Sequence, residues 1–382
     1  MELVTTLLTV AGMGYFVAAW RAARSFLVED GGTPSAFAPG VSILKSLKGL
    51  DPGMLDAFRS HCGQEYAGAY ELLFGVSALD DPAVGAVELL QREFPALSIH
   101  LVECPERLGS NGKVSTLVQL ARHARHDFLL INDSDITVSP HYLARVMGCF
   151  DAAHSGPKVG LVTTLYRGRA HGTLPSRLEA LGIATDFQAG VLLSKKIEGG
   201  LSYGLGSTLA VRREALEKIG GLKVLVDQLA DDYELGARIF RAGYRVELSA
   251  EVVETGVPAY TWRGFIDHQL RWSRTVRDAR PWGYVGLIFT HGLAWAMINA
   301  LVCGLSSLSL GLLGASCFLR IWLAMTVGTE VLGDDQVLGN MWLLPLRDLL
   351  QLGVWAAGFA GNTVVWRGER FSLKNGRLYE LK

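Results

Sequence analysis

Apolar and polar positions divide this chain into three zones. Residues 3–20 (LVTTLLTVAGMGYFVAAW) form an uncharged run, and a helix of that length covers roughly the ~30 Å hydrocarbon core of a bilayer at about 1.5 Å per residue. Trp20, Arg21 and Arg24 close the run, while Glu2 precedes it. Basic residues that follow rather than lead predict a retained signal anchor with its N-terminus outside, not a cleaved signal peptide. From Tyr284 to Leu332 the charged residues are Arg320 and Glu330 alone, which is length for two spans with a break near Gly304–Ser309. Leu349–Trp366 is a further apolar run that could make a third span. Three spans would carry a basic tail (Arg367, Arg370, Lys374, Arg377, Lys382) across the membrane against the positive-inside tendency. Two spans plus a surface-lying segment would keep it on the side of the polar domain. Arg347 and Asp348 adjoin the last run; as an ion pair at a membrane boundary they fit either count.

Between the anchors, residues 40–280 alternate short apolar runs with helical periodicity. Strands are expected at Val41–Leu44, Glu71–Val76, Ser98–Val102, Phe128–Asn132, Val159–Thr164 and Ser207–Val211, with helices at 52–61, 82–93, 113–125, 140–153 and 213–219. Strand and helix in alternation predict parallel strands joined by crossovers, hence a Rossmann-like α/β domain. Ligands of such sheets bind beyond the C-terminal ends of the strands. The chain therefore divides into an anchor (1–24), an α/β domain (40–280), a C-terminal membrane region (284–366) and a basic tail (367–382).

Composition agrees. With 49% hydrophobic and 19% charged residues and a mean hydropathy of +0.25, the chain is too apolar for an ordinary soluble enzyme, where about 25% of residues are charged. Disorder is excluded. A net charge of −1 offers no basic face for nucleic acid. Five cysteines, Cys62, Cys104, Cys149, Cys303 and Cys317, show no CxxC spacing, so neither a disulfide framework nor a zinc site is indicated, and a domain facing the reducing cytoplasm fits.

Chemistry concentrates in four clusters. GVSALDDPAV places Asp80 and Asp81 after a strand and before Pro82, which suits a helix cap or a carboxylate that accepts from a nucleotide. FLLINDSDITV sets Asp133 and Asp135 two apart; in an extended segment they face one way and can address one divalent cation or diphosphate. QLADDYELG puts Asp231 and Asp232 at the head of a helix, where one acid caps it and a second is available as a base. HQLRWSRTVRDARPW carries Arg271, Arg274, Arg277 and Arg280 beside Trp272 and Trp282, as an interfacial helix would. LGSNGKVSTL adds Lys113 at a helix start, facing a phosphate, a base or solvent, but its glycine spacing is not that of a P-loop.

Taken in order, these segments resemble ceramide glucosyltransferases of glycosyltransferase family 21, kin to family 2. The resemblance runs through VSILKSLKGLDP, YELLFGVSALDDPAV, LINDSDITV, LGSTLAVRRE, QLADDYELG and HQLRWSR, nearly the whole chain. It implies a GT-A type nucleotide-diphospho-sugar transferase domain with transmembrane helices at both ends. Asp81, Lys113 and Gly206 would then belong to the donor site, with Asp133 and Asp135 holding Mg²⁺ or Mn²⁺ on the diphosphate of a UDP-sugar. Asp232 would be the general base, and Arg271 with Trp272 the core of a QxxRW motif closing over donor and acceptor. Two departures stand out: Asp-Ser-Asp replaces the Asp-Ser-Gly common in animal ceramide enzymes, and His268 occupies the first QxxRW position, with Gln269 one place later.

The resemblance implies an inverting transfer from a UDP-sugar to a hydroxyl of a membrane lipid, on an integral membrane protein whose catalytic domain faces the cytoplasm. UDP-glucose to ceramide is the leading pair; a bacterial branch that moves N-acetylglucosamine to hopanoids shares the motifs. A processive polysaccharide synthase would need more spans, a transporter more ionisable residues in the membrane. A catalytically silent nucleotide-sugar-binding membrane protein would have little use for all five of Asp81, Asp133, Asp135, Asp232 and Arg271.

Overall fold

The computed structural model describes residues 1–29, 35–51, 53–151, 156–366 and 369–380. An anchor helix, α1 (Glu2–Glu29), precedes the α/β domain. The first half of that domain runs β1 (Val41–Ser46), α2 (Met54–Cys62), β2 (Tyr70–Val76), α3 (Ala83–Glu93), β3 (Ser98–Glu103), α4 (Gly112–Ala121), β4 (Phe128–Ile131), β5 (Ile136–Thr137) and α5 (Tyr142–Gly148). It continues through β6 (Val159–Ala170), α6 (Leu174–Gly182), a π turn (Ile183–Phe187), α7 (Gln188–Glu198), β7 (Leu209–Arg212), α8 (Arg213–Lys218), α9 (Asp231–Arg241), β8 (Arg245–Val257) and α10 (Trp262–Ala279). Pro52 and residues 152–153, in two of the expected helices, lie outside the described residues, as do Arg367 and Lys382 of the tail.

Eight strands form one sheet in the order β3-β2-β1-β4-β7-β6-β8-β5. The expected parallel pairing holds for β1 with β2 and β4 and for β2 with β3; β1, β2 and β4 are buried along nearly their whole length, whereas β3, at the sheet edge, buries Ile99. It fails at β7, which lies antiparallel between β4 and β6. The reason is local: β7 pairs along β4 after the chain has returned through α7 from the far end of β6, so it re-enters the sheet in the opposite sense. Strand β8 was absent from the sequence expectation. Its apolar residues Val246, Leu248 and Val253 are buried while acidic residues interleave them, and a bulge against β6 shifts the register between Thr164 and Leu165.

Two apolar cores flank the sheet. One, under α2, α3 and α5, includes Phe58, Phe74, Val87 and Tyr142. The other joins sheet residues such as Leu44, Leu129 and Leu161 to Phe16, Ala19 and Ala23 of α1 and to Leu293 and Leu323 beyond the domain. Helix α1 is therefore continuous with the α/β domain instead of hanging from it.

The C-terminal region opens with α11 (Pro281–Gly286), a 3₁₀ turn (Leu287–Thr290) and α12 (Gly292–Val302), bent by 56° at His291. A break at Gly304 and Leu305, both at positive φ, leads into α13 (Ser307–Met325), as the sequence predicted. Helices Glu2–Val28 and Ser307–Val331 are long and apolar enough to cross a membrane, and the bent pair would make a third span. Gly12 and Gly292 bring α1 and α12 into backbone contact: a Cβ on Gly12 would lie 2.2 Å from Gly292 Cα. The chain then passes through α14 (Gln336–Asn340) and α15 (Leu344–Gly358).

Of the two readings of Leu349–Trp366, the spanning one is not formed. Helix α15 has 15 residues, too few for ~30 Å of hydrocarbon, and Thr363–Trp366 is strand β9. Arg347 and Asp348 do not pair with each other either: Asp348 takes the buried Arg320 at 2.8 and 3.0 Å, and Arg347 donates to Gln351. Nor do residues 369–380 form a free tail. Strands β10 (Glu369–Lys374) and β11 (Arg377–Glu380) complete an antiparallel sheet with β9, and Val364, Phe371, Leu373 and Leu378 enclose Leu229 of the α/β domain. That burial keeps the C-terminal sheet on the same side as the domain.

Candidate active site

At the C-terminal end of β4 the chain leaves the sheet through Asn132, which is buried. Its side chain donates to Ser207 O at 2.6 Å and to Tyr142 Oη at 3.0 Å, and its Oδ1 lies 3.2 Å from Nε2 of the buried His61. Residues 133–135 then turn instead of continuing extended. Lys45 Nζ donates to Asp133 O at 3.0 Å, and Ser134 Oγ donates to Asp51 at 2.9 Å. This corrects the expectation that Asp133 and Asp135 share a face by strand geometry; a pinned turn brings them together. Asp135 accepts from Thr255 of β8, and burial first, then Asp133, raises its carboxyl above the usual range. Lys45 is fully buried, and burial lowers its ammonium to about 7.

Lys113 belongs to this cluster. Asn111 caps α4 by accepting from Val114 N at 3.1 Å, and its amide donates to Gln228 O at 2.7 Å. The turn is thereby tied to the segment leading to α9, and Lys113, in the first turn of α4, reaches Asp133 Oδ1 at 2.7 Å and Asp231 Oδ2 at 3.5 Å. Burial opposes its charge, but Asp133, Asp231 and Asp232 outweigh burial and hold the ammonium above the usual lysine range. A solvated helix-start lysine is thus excluded.

Asp232 follows at the head of α9. Burial and then Asp231 raise its carboxyl to about 6, a value suited to taking a proton near neutral pH. Gly206 makes room for it: a Cβ there would lie 2.9 Å from Asp232 Oδ2. Asp81 is engaged differently. Its carboxylate accepts from Gly49 N at 3.0 Å and Ala83 N at 2.9 Å, so it caps α3 and joins the ends of β1 and β2.

Helix α10 forms the opposite wall. Residues 268 and 272 share one face, and His268 stands between Tyr260 and Trp272 with ring centroids 5.3 and 5.2 Å away. Trp272 also meets Phe187 of the π turn at 5.9 Å. Burial and then Arg271 lower His268 to about 3, so its ring is neutral and its 3.6 Å approach to Glu179 is not an ion pair. Gln269 turns to the same buried carboxyl, donating to Glu179. Glu179, which the sequence analysis did not single out, is raised by burial to about 7 against the pull of Arg347 and Arg271. Tyr166 joins the two walls: after burial, Asp232 and Glu179 act most strongly on its hydroxyl.

Among the described residues, no group of three or more His, Cys, Asp and Glu gathers as a metal cage. Two neighbouring carboxylates, one of them burdened by burial, nonetheless fit a hard cation that takes its other ligands from a diphosphate and water.

The sheet and this arrangement of acids define a GT-A type fold with its candidate site at the strand ends. The chain belongs to glycosyl transferase family 21, which it matches over residues 4–379. It is 27% identical over 239 residues to ceramide glucosyltransferase 3 of Caenorhabditis elegans, covering 62% of this chain and 50% of that one. A ceramide glucosyltransferase of Komagataella phaffii is 31% identical over 110 residues, 28% of this chain and 21% of the other. The chain thus spans about half the length or less of these relatives. In fold it is similar to the mannosyltransferase PcManGT of Pyrobaculum calidifontis, solved in complex with GDP-mannose and Mn²⁺: the TM-score is 0.56 at 20% identity, over 94% of this chain and 97% of that one.

Proposed function

We propose that this protein is an inverting glycosyltransferase that moves a sugar from a UDP-sugar to a hydroxyl of a membrane lipid, with UDP-glucose and ceramide as its substrates. The observation that carries the reading is the bridge from Lys113 to Asp133 and Asp231, because it gathers the acids of two distant sequence segments, and with them the adjacent Asp232, around one cation. In this reading Asp133 and Asp135 hold Mg²⁺ or Mn²⁺, whose chemistry is to neutralise charge on the departing diphosphate. Asp81, Lys113 and Gly206 line the donor side.

The acceptor hydroxyl oxygen attacks the anomeric carbon from the face opposite the diphosphate. As that C–O bond forms, the bond to the diphosphate oxygen breaks, UDP departs, and Asp232 takes the hydroxyl proton. One displacement inverts the configuration. Arg271 and Trp272 close the site from α10 and shield it from water. Because α1 shares a core with the domain, a lipid acceptor can approach from the bilayer without exposing its chains, which would cost ~0.8 kcal/mol per CH₂. The domain faces the cytoplasm, with Arg21 and Arg24 on its side of the anchor.

The test uses the full chain in nanodiscs with Mg²⁺ or Mn²⁺, ceramide or a hopanoid polyol, and labelled UDP-glucose or UDP-N-acetylglucosamine. Organic-extractable label from UDP-glucose with ceramide is expected. Label from UDP-N-acetylglucosamine on the hopanoid alone would reassign donor and acceptor, and label on water-soluble products alone would overturn the lipid-acceptor reading.

A further inference from the structure

Apart from the acidic site, the fold holds a half-open cavity of about 440 Å³ between α1, α7, the Gly199–Gly200 turn, α9 and the start of β8. None of the acidic residues discussed above lines it. Its walls divide by chemistry. Phe26 and Phe240 are apolar, and Phe240 is 49% exposed. Among the described lining residues Lys195, Lys196 and Arg245 are basic and Glu247 is acidic. Lys195 Nζ lies 5.3 Å from the centroid of the Phe26 ring, and Lys196 Nζ donates to Ser25 Oγ at 2.9 Å. Arg245 reaches Glu247 at 3.6 Å, but its Nε is shielded from solvent and meets no acceptor among the described residues.

The position along α1 decides what such a cavity would hold. The candidate span Glu2–Val28 has 27 residues, longer by about a third than ~30 Å of hydrocarbon requires. Its uncharged part ends at Trp20 and Arg21, the residue types that sit at the membrane–water boundary. Ser25 and Phe26, one to two turns farther on, therefore stand at headgroup depth. A cavity there, with cations on one wall and aromatic rings on the other, matches a phosphodiester joined to a glycerol and acyl chain.

We infer that this cavity is a headgroup site for an anionic glycerophospholipid, with Lys195, Lys196 and Arg245 on the phosphate and Phe26 and Phe240 against the glycerol end of the chains. The inference rests on the membrane reading of α1 and is independent of which sugar or acceptor the enzyme uses. Binding there ties α1 to α7 and holds the domain at a fixed height above the bilayer.

Retained lipid is the readout. The full chain is taken from mixed phosphatidylcholine and phosphatidylglycerol nanodiscs, and the lipids that stay bound are identified by native mass spectrometry. Phosphatidylglycerol is expected to be enriched over its share of the bilayer. The double variant K195Q/K196Q should lose roughly fivefold per lysine, since each basic residue near an anionic surface contributes about that factor, while K195R/K196R keeps the enrichment. Both lysines lie outside the acidic site, so turnover in pure phosphatidylcholine nanodiscs should match wild type and report intact folding. Equal retention in wild type and K195Q/K196Q would overturn the site. Displacement of the retained lipid by millimolar inorganic phosphate would show an anion site without lipid selectivity and would overturn the assignment.

Discussion

Lys113 Nζ stands 2.7 Å from Asp133 Oδ1, so the first turn of α4 delivers a positive charge to the turn that ends β4. The same ammonium lowers the carboxyl of Asp232 against burial and Asp231, which leave it at about 6. With Asp232 as base, kcat/KM should rise with pH until it levels above about 6, falling about tenfold per unit below. Lys113→Met removes the cation that favours ionised Asp232, so the rising limb should move to higher pH. A limb that stays in place in the variant would separate Lys113 from the base.

Asp232→Asn keeps the shape but takes no proton. Turnover should fall by roughly 10² or more with donor affinity nearly intact, as read by single-turnover kinetics and donor titration. If the aspartate only capped α9, the same change would cost at most about 1 kcal/mol of stability and little activity.

Asp135→Ala should weaken Mn²⁺ and UDP-sugar binding together, because the carboxylate holds the ion that holds the diphosphate. Calorimetric titration of donor with and without Mn²⁺ measures both. Unchanged metal dependence would remove Asp135 from the metal site.

Glu179→Gln tests the buried acid behind α10. Its native carboxyl is raised from 4.5 to about 7 by burial, so stability is fully kept below about 4.5 and lost as pH climbs through about 7. The substituted amide cannot ionise, but its carbonyl can still accept from Gln269. The variant should therefore match wild type near pH 5 and exceed it near pH 8, by an amount on the order of 3 kcal/mol at most. Thermal unfolding at the two pH values reads the difference, and parallel curves for the two proteins would show that Glu179 stays charged.

Arg320 and Asp348 form a buried pair, with 2% and 8% of their side chains exposed. Asp348→Ala leaves an uncompensated buried guanidinium and should destabilise the fold by ~3–5 kcal/mol, measured as a lowered unfolding midpoint in detergent. Replacing both residues with apolar ones should recover much of the loss.

The linear chain determined the elements whose signals are local. Long apolar runs predicted α1 and α13, short apolar runs predicted β1 to β4, and paired acids at strand ends and helix starts marked Asp81, Asp133, Asp135 and Asp232, because those patterns follow from burial and capping within a few residues. What depended on partners far along the chain was settled by tertiary structure alone. Strand β8 alternates acids with valines and is read as a strand once β6 pairs with it; α15 stops short because the chain beyond it is drawn into a sheet around Leu229. The sequence left Lys113 facing a phosphate, a base or solvent; its contacts with Asp133, 20 residues on, and Asp231, over a hundred residues on, exist only in the folded chain. Glu179 carried no signal, since a lone glutamate in a helical segment is ordinarily exposed. Burial against Gln269 gives it its chemistry, and burial is a property of the packed molecule.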